Sequence, residues 1–376
     1  MPLSNRHAHA AKTTTNTDPD LIVPFKTPNV LTQSPYLVSP VSVSTIMLKV
    51  LLALLPGIIA YAVLFGAGIL VQLVLATTTA LVAEAAFLRI RHRPIAPALA
   101  DLSAVVTAWL IALSFPPTGP WWLVVVGTLF AILIVKQMYG GLGQNPFNPA
   151  MAAYALCIVS FPAIMSQWPM TLANSGLSLI DQIAPIFNHA QNVDTWAGAT
   201  PLDHLKTALR LSSASDSLTV QTIAQNQKIY GIGAGQGWEW VTLGWLIGGL
   251  WLWQQRVITW HIPVAFIAAM GALALLLWGI DPQHYASPIF HIFGGATLLG
   301  AFFIATDPVS GATTPRGKLI FAAGIGIIAY LIRVFGAFPD GVAFAVLLMN
   351  ICVPLIDMYT QPAIFGEKSS GKKDAA

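Results

Sequence analysis

The chain has 376 residues, 56% hydrophobic and only 9% charged, with a formal net charge of +3. A soluble domain carries about 25% charged residues, so there are too few charges here to coat a water-facing globule of this size. The basic residues are spread over loops instead of massed on one face, which argues against a nucleic-acid partner.

Residues 1–45 are polar and Pro-containing, lack the apolar stretch of a signal sequence, and read as a cytosolic arm. Beyond them apolar blocks recur at close to the ~20 residues needed to cross a hydrocarbon core of about 30 Å. The expected fold is an all-α polytopic membrane protein of about ten transmembrane helices. In the first half (46–166) the predicted spans are Ile46–Phe65, Ala67–Leu88, Ala98–Phe115, Trp121–Met138 and Asn148–Ser166. A polar stretch, 167–238, interrupts the pattern. The second half (239–360) holds Glu239–Trp253, Ile258–Ile280, Ser287–Thr306, Gly317–Gly336 and Asp340–Tyr359, and 361–376 is a polar tail.

Lys and Arg collect on the cytoplasmic side of membrane proteins. With the N-terminus inside, Arg6, Lys12, Lys26, Lys49, Arg89, Arg91, Arg93, Lys136, Arg256, Arg316, Lys318, Lys368, Lys372 and Lys373 all fall inside. Among the basic residues of short loops and tails only Arg333 falls outside. Both termini are therefore expected in the cytoplasm and 167–238 on the external, periplasmic face of a bacterial inner membrane.

Two stretches echo each other, AWLIALSFPPTGPWW…ALCIV (108–159) and AFFIATDPVSGATTP…MNICV (301–353). Each runs from a Pro-containing loop through a long helix and a Gly/aromatic/Pro turn to a helix with a mid-length cysteine, Cys157 or Cys352. Units of five spans, an odd number, are inverted relative to one another, an architecture that places sites near the membrane midplane. GGLGQNPFNPAM (140–151) reads either as a re-entry into a helix or as a plain helix start after a cytoplasmic turn. The two cysteines read as small core residues; two thiols alone cannot hold an iron–sulfur cluster, which takes four ligands.

Two Gly-Ala-Thr tripeptides stand out, DTWAGATPL (194–202) and SGATTPRG (310–317). The first lies in the external stretch, with Asp194 six residues before Thr200. A threonine hydroxyl is a poor nucleophile unless an enzyme activates it. Residues alone read Thr200 as a helix cap with Pro201 at the first helical position. The second tripeptide lies inside, beside Arg316 and Lys318, and reads as a tight turn between helices, or as a gate or partner contact through Asp307, Arg316 and Lys318. GIGAGQG (231–237) lacks the βαβ context of a nucleotide loop and reads as a linker. GxxxxGK[ST], HExxH and CxxC are all lacking, so nucleotide hydrolysis and zinc chemistry have no support. Glu84, Asp101, Lys136, Arg333 and Asp357 are ionisable residues in or near spans. Most sit close enough to an end to snorkel; each is also a candidate for ion passage, Glu84 and Asp101 foremost as carboxylates on the cytoplasmic half. The tryptophans, as at Trp121-Trp122 and Trp251/Trp253, read as an interfacial belt.

Over nearly its whole length, through GGLGQNPFNPA, the external D…GAT segment and ATDPVSGATTPRG, the chain resembles the D subunits of the Rnf electron-transport complex. It is more distantly similar to the B subunits of the sodium-pumping NADH:quinone reductase. The resemblance implies an FMN joined through its phosphate to Thr200 by a periplasmic flavin transferase, with Asp194, Gly198 and Ala199 completing the motif. Ala197 stands where the family has Ser or Thr. Thr313 lies on the wrong side for such a transferase. The resemblance further implies a non-covalent riboflavin among the helices, the A, B, C, E and G subunits as partners, and electron transfer between ferredoxin and NAD coupled to ion movement. It makes the chain an oxidoreductase subunit, not a complete enzyme. The competing readings are a stand-alone channel or transporter built on the inverted repeat, and a flavin-free scaffold; neither needs the external GAT threonine.

Overall fold

The computed structural model describes residues 42–176, 178, 181–187, 197–212, 219–225 and 229–362. Most of the expected arm and tail, and Asp194, lie outside them. Helix α1 (Val43–Phe65) starts where the Ser42 side chain accepts from the Thr45 N–H and stops at Gly66, whose φ of 107° suits glycine. Helix α2 is Gly68–Ile90. These two, with α13 (His261–Ile280), α16 (Pro315–Phe335) and α17 (Val342–Thr360), are the five described helices long and apolar enough to cross a membrane. Their outward faces carry Ile59, Val63, Val74, Val82, Leu276 and Ile351, all well exposed. A bundle facing water would place polar residues there.

The other five expected spans are shorter or interrupted. The third divides into α3 (Ile95–Ala100) and α4 (Ser103–Ser114). Leu102 between them has a φ of 62°, and the Asp101 carboxylate accepts from the Ser103 N–H at 2.7 Å to cap α4. The fourth is α5 (Trp121–Leu129), continued by a π-helical segment, Phe130–Gln137. The fifth divides at Phe161 into α6 (Pro149–Ser160) and α7 (Pro162–Met165). A residue before proline resists the helical region, so Phe161 is a physical stop. In the polar stretch lie β1 (Trp168–Pro169), α8 (Leu172–Ser175), α9 (Ile183–Phe187), β2 (Ala197–Gly198), α10 (Pro201–Ser212) and α11 (Val220–Ala224). The sixth expected span is α12 (Trp238–Gln254). The eighth is α14 (Pro288–Phe293), a break at Gly294–Ala296, then α15 (Thr297–Leu299), continued by a π-helical segment, Gly300–Ile304.

In the first half α2 packs on α4 and α5; in the second α13 packs on α14 and α16, and α16 on α17. Across the halves α1 packs on α12, and α6 on α17. The α1–α12 contact is backbone on backbone. Gly244 and Gly248, four residues apart, face Pro56-Gly57 and Ala53, and a Cβ on Gly248 would stand 1.8 Å from the Ala53 carbonyl oxygen. Small residues at this spacing are how helices approach closely in a membrane. One apolar core runs through both halves, with Leu54, Ile111, Ile132, Phe266 and Tyr330 fully enclosed.

Candidate functional site

The first Gly-Ala-Thr segment is held at both ends. Strand β2 pairs antiparallel with β1, Trp168 opposite Gly198 and Pro169 opposite Ala197. Immediately after it, Thr200 caps α10. Its Oγ1 accepts from the Asp203 N–H at 3.2 Å and its carbonyl accepts from the His204 N–H at 2.8 Å. Pro201 occupies the first helical position, as the cap reading expected. Ala199 is exposed, while Gly198 and Thr200 are half-buried.

Thr200 lines an open cavity between α1, α12 and the break after α14. Its wall includes Tyr61, Trp168, Trp238 and Trp245. Trp238 meets Tyr61 at 5.4 Å between ring centroids and Trp168 at 5.5 Å, so the rings form one connected aromatic surface. The Tyr61 hydroxyl is buried and has no hydrogen-bond partner among the described residues. A buried polar atom left unpaired costs about 1–3 kcal/mol, a cost a bound polar ligand would remove. The belt reading of the tryptophans therefore fails for Trp168, Trp238 and Trp245, although Trp121 and Trp253 are exposed as a belt requires.

Asp340 lines the same cavity. Its Oδ2 accepts from the Ala296 N–H at 2.7 Å, at the start of the restarted helix, and its Oδ1 accepts from the Arg333 guanidinium at 3.0 Å. Arg333 also donates to the His291 carbonyl at 2.7 Å and is buried. The GIGAGQG segment, read as a linker, folds over the start of α10. The Glu239 carboxylate accepts from the Gly233 and Ala234 N–H groups at 2.7 Å each, and Gly235 lies so close to the Pro201 ring that a Cβ would meet it at 2.2 Å.

The second tripeptide is tied down. Thr313 donates through its N–H and its hydroxyl to Asp357, at 3.0 and 2.9 Å, and Thr314 caps α16. Asp307 accepts from Ser310 Oγ at 2.8 Å, while Arg316 is exposed and Lys318 half-buried. The turn reading describes these contacts fully.

Snorkelling fails for three of the span residues. Glu84 and Lys136 form a buried ion pair at 2.7 Å, with Lys136 also donating to Ser103 Oγ at 2.8 Å and Gln137 to Glu84 at 2.6 Å. Glu84 Oε2 has no partner among the described residues. Arg333 is the third. Asp101 caps α4, and Asp357 holds Thr313. Cys157 is buried and Cys352 half-buried, both as free thiols. Sequence reasoning missed Tyr61, Trp168, Trp238 and Asp340 as cavity residues. A lone aromatic in an apolar helix looks the same whether it faces lipid or a cavity. The nearest available signal was the crowding of glycines at 294–295 and 231–237.

The model of the NQR2, RnfD, RnfE family matches residues 30–366. The chain is 51% identical over 355 residues to the D subunit of the ion-translocating oxidoreductase complex of Yersinia pseudotuberculosis serotype O:1b (strain IP 31758), covering 91% of this chain and 99% of that protein. It is 49% identical over 349 residues to the protein of the same name from Shewanella amazonensis, covering 90% and 99%. To that of Escherichia fergusonii it is 48% identical over 351 residues, covering 90% and 98%.

Proposed function

The chain belongs to the NQR2, RnfD, RnfE family, and from that premise we propose that it is the D-type membrane subunit of an ion-translocating oxidoreductase complex, carrying electrons through an FMN joined by phosphoester to Thr200. The observation that carries the reading is Thr200 itself, at the N-terminus of a 12-residue helix and on the rim of an aromatic cavity.

The residues fit such a group. The first-turn N–H groups of α10 and its dipole favour the negative charge of a phosphodiester. Tyr61, Trp168 and Trp238 offer faces for a flat tricyclic ring, and the unpartnered Tyr61 hydroxyl offers it a hydrogen bond. When bound, the flavin supplies the capacity to take up and pass on electrons; the protein holds it, orients it and keeps water from its inner edge. Gly198, which a Cβ would bring to 3.2 Å from the Met170 side chain, lets the segment lie close to its neighbour.

Two inverted five-helix repeats make up the ten-span reading. The matching packing pairs within each half support it, as do breaks near the start of the third helix of each half, at Leu102 and at Gly295. In this reading Thr200 lies on the periplasmic face, where a flavin transferase reaches it, and both termini are cytoplasmic. The A, B, C, E and G subunits, a non-covalent riboflavin, and the coupling of ferredoxin–NAD electron transfer to ion movement complete the assembly.

The test is a denaturing gel of the chain co-expressed with a flavin transferase. A band fluorescent under ultraviolet light should persist in Thr313→Val and vanish in Thr200→Val. Thr200→Asn keeps a capping side chain but no acceptor hydroxyl, and separates loss of the acceptor from loss of about 1 kcal/mol of capping. A dark parent band, with the transferase active on another substrate, would overturn the covalent assignment.

A further inference from the structure

The cavity that Thr200 lines carries almost no charge. Among the described residues on its wall Asp340 alone is formally charged, and the others are apolar, aromatic or hydroxyl-bearing. In such surroundings a single charge acts more strongly, and over a longer range, than it does in water.

Asp340 has a partner, but the two charges do not face the cavity equally. Arg333, in the last turn of α16, donates from Nε to Asp340 Oδ1 at 3.2 Å and from Nη2 to Oδ1 and Oδ2 at 3.0 and 3.2 Å. The arginine side chain is 1% exposed, against 18% for the aspartate. Arg333 does not line the Thr200 cavity; it lines a separate opening between α10 and the end of α16. The ion pair is therefore a dipole set in the wall, with its negative end at the Thr200 cavity.

The pair is also held still. Arg333 Nη1 donates to the His291 carbonyl at 2.7 Å, while Asp340 accepts from the Ala296 N–H at 2.7 Å and from the Val342 N–H at 3.1 Å. Gly295 makes room for it. A Cβ there would stand 2.5 Å from Asp340 Oδ2 and 2.9 Å from Arg333 Nη2, and its φ of 61° suits glycine. The same point lies 2.7 Å from the Leu202 side chain, so the first turn of α10, two residues past Thr200, packs beside the pair. A flavin gains negative charge as it takes up electrons above neutral pH. A fixed negative end facing it opposes that gain, and a braced dipole cannot turn away to compensate.

We propose that Asp340, braced by Arg333, sets the potential of the flavin on Thr200 and keeps it low; the inference rests on the covalent-flavin reading. Asp340 acts through its field and needs no contact with the ring. The full chain, co-expressed with a flavin transferase and purified in an uncharged detergent, is titrated spectroelectrochemically by the absorbance of its flavin. Asp340→Asn removes the near charge and leaves that of Arg333. The reduction equilibrium should then shift at least tenfold towards the reduced form, a rise of about 30 mV for two electrons. Arg333→Gln leaves the carboxylate alone at the cavity, and the potential should fall. The double variant strands no charge. It should raise the potential by less than Asp340→Asn does, and it serves if a single variant does not fold. Arg256→Gln, in the turn after α12, should leave the potential where it is. A merely structural pair would disturb the site alike in both single variants and would not give opposite signs. Shifts of one sign in the two single variants, or an unmoved potential in Asp340→Asn or in the double variant, would overturn the proposal while the fluorescent band at Thr200 stands. A dark parent band on the denaturing gel would overturn the covalent reading, and this proposal with it.

Discussion

At Thr200 the oxygen that caps α10 is also the atom to which the proposed phosphoester is joined. The two roles are compatible because the cap uses Oγ1 as an acceptor, and esterification removes its hydrogen, not its lone pairs. Sequence made this residue legible only through the family resemblance; its local pattern described a cap and nothing more. Lys206, six residues on, was read as nothing, because a lysine on an amphipathic helix is ordinarily solvated. Burial pushes its ammonium down to about 8, the neighbouring Arg210 adding to the effect and Asp203 opposing it. Across the open space beside α10 stand Arg333 and His284, each paired with a carboxylate, Asp340 and Asp281. Between about 8 and the ordinary 10.5 the unfolded chain keeps a proton that the folded chain has released. Stability therefore rises with pH through that window, and below it the full cost of burying the charge is present. In uncharged detergent the thermal midpoint of the parent should gain on that of Lys206→Met as pH climbs from 8 towards 10.5; a constant difference would show that Lys206 keeps its ordinary affinity for protons.

At the level of elements, long apolar runs were legible and interruptions were not. Val43–Phe65 and Pro315–Phe335 match their predicted spans to within a few residues because hydrophobicity over about 20 residues is a summed signal. The break at Leu102 depends on a single backbone angle and one carboxylate, and that at Gly294–Ala296 on contacts from Asp340, 44 residues away. Neither leaves a local trace that hydropathy averages would keep. The buried pair Glu84–Lys136 links α2 to the π-helical segment after α5, and Lys136 reaches Ser103 at the start of α4. Removing one partner of a buried pair strands the other charge, at about 3–5 kcal/mol, whereas removing both does not. Glu84→Gln and Lys136→Met should each destabilise the chain in detergent by that order, and the double variant by less than either. Additive losses would show that the two charges are separately solvated.

For the whole molecule, a helical membrane architecture was readable from hydropathy, while the way its two halves meet was not. They meet at α1 on α12 and at α6 on α17, and the first of these contacts depends on Gly244 and Gly248. Gly248→Val should abolish the monodisperse chain on size exclusion, whereas Gly279→Ala, where a Cβ meets nothing within 4 Å, should leave it unchanged. A normal elution profile for Gly248→Val would mean that the two halves do not depend on this contact. The contact also decides which lesions a genetic screen can repair. At Gly57 an added methyl would strike the Trp245 ring at 2.1 Å, and a smaller residue at 245 would make room. At Gly248 it would strike the Ala53 carbonyl, which every amino acid carries, so no replacement at position 53 removes the obstruction. Suppressors should therefore be recoverable for the first glycine and absent at the facing position for the second, leaving Gly248 a site where a lineage can lose function by one step and regain it only by reversal.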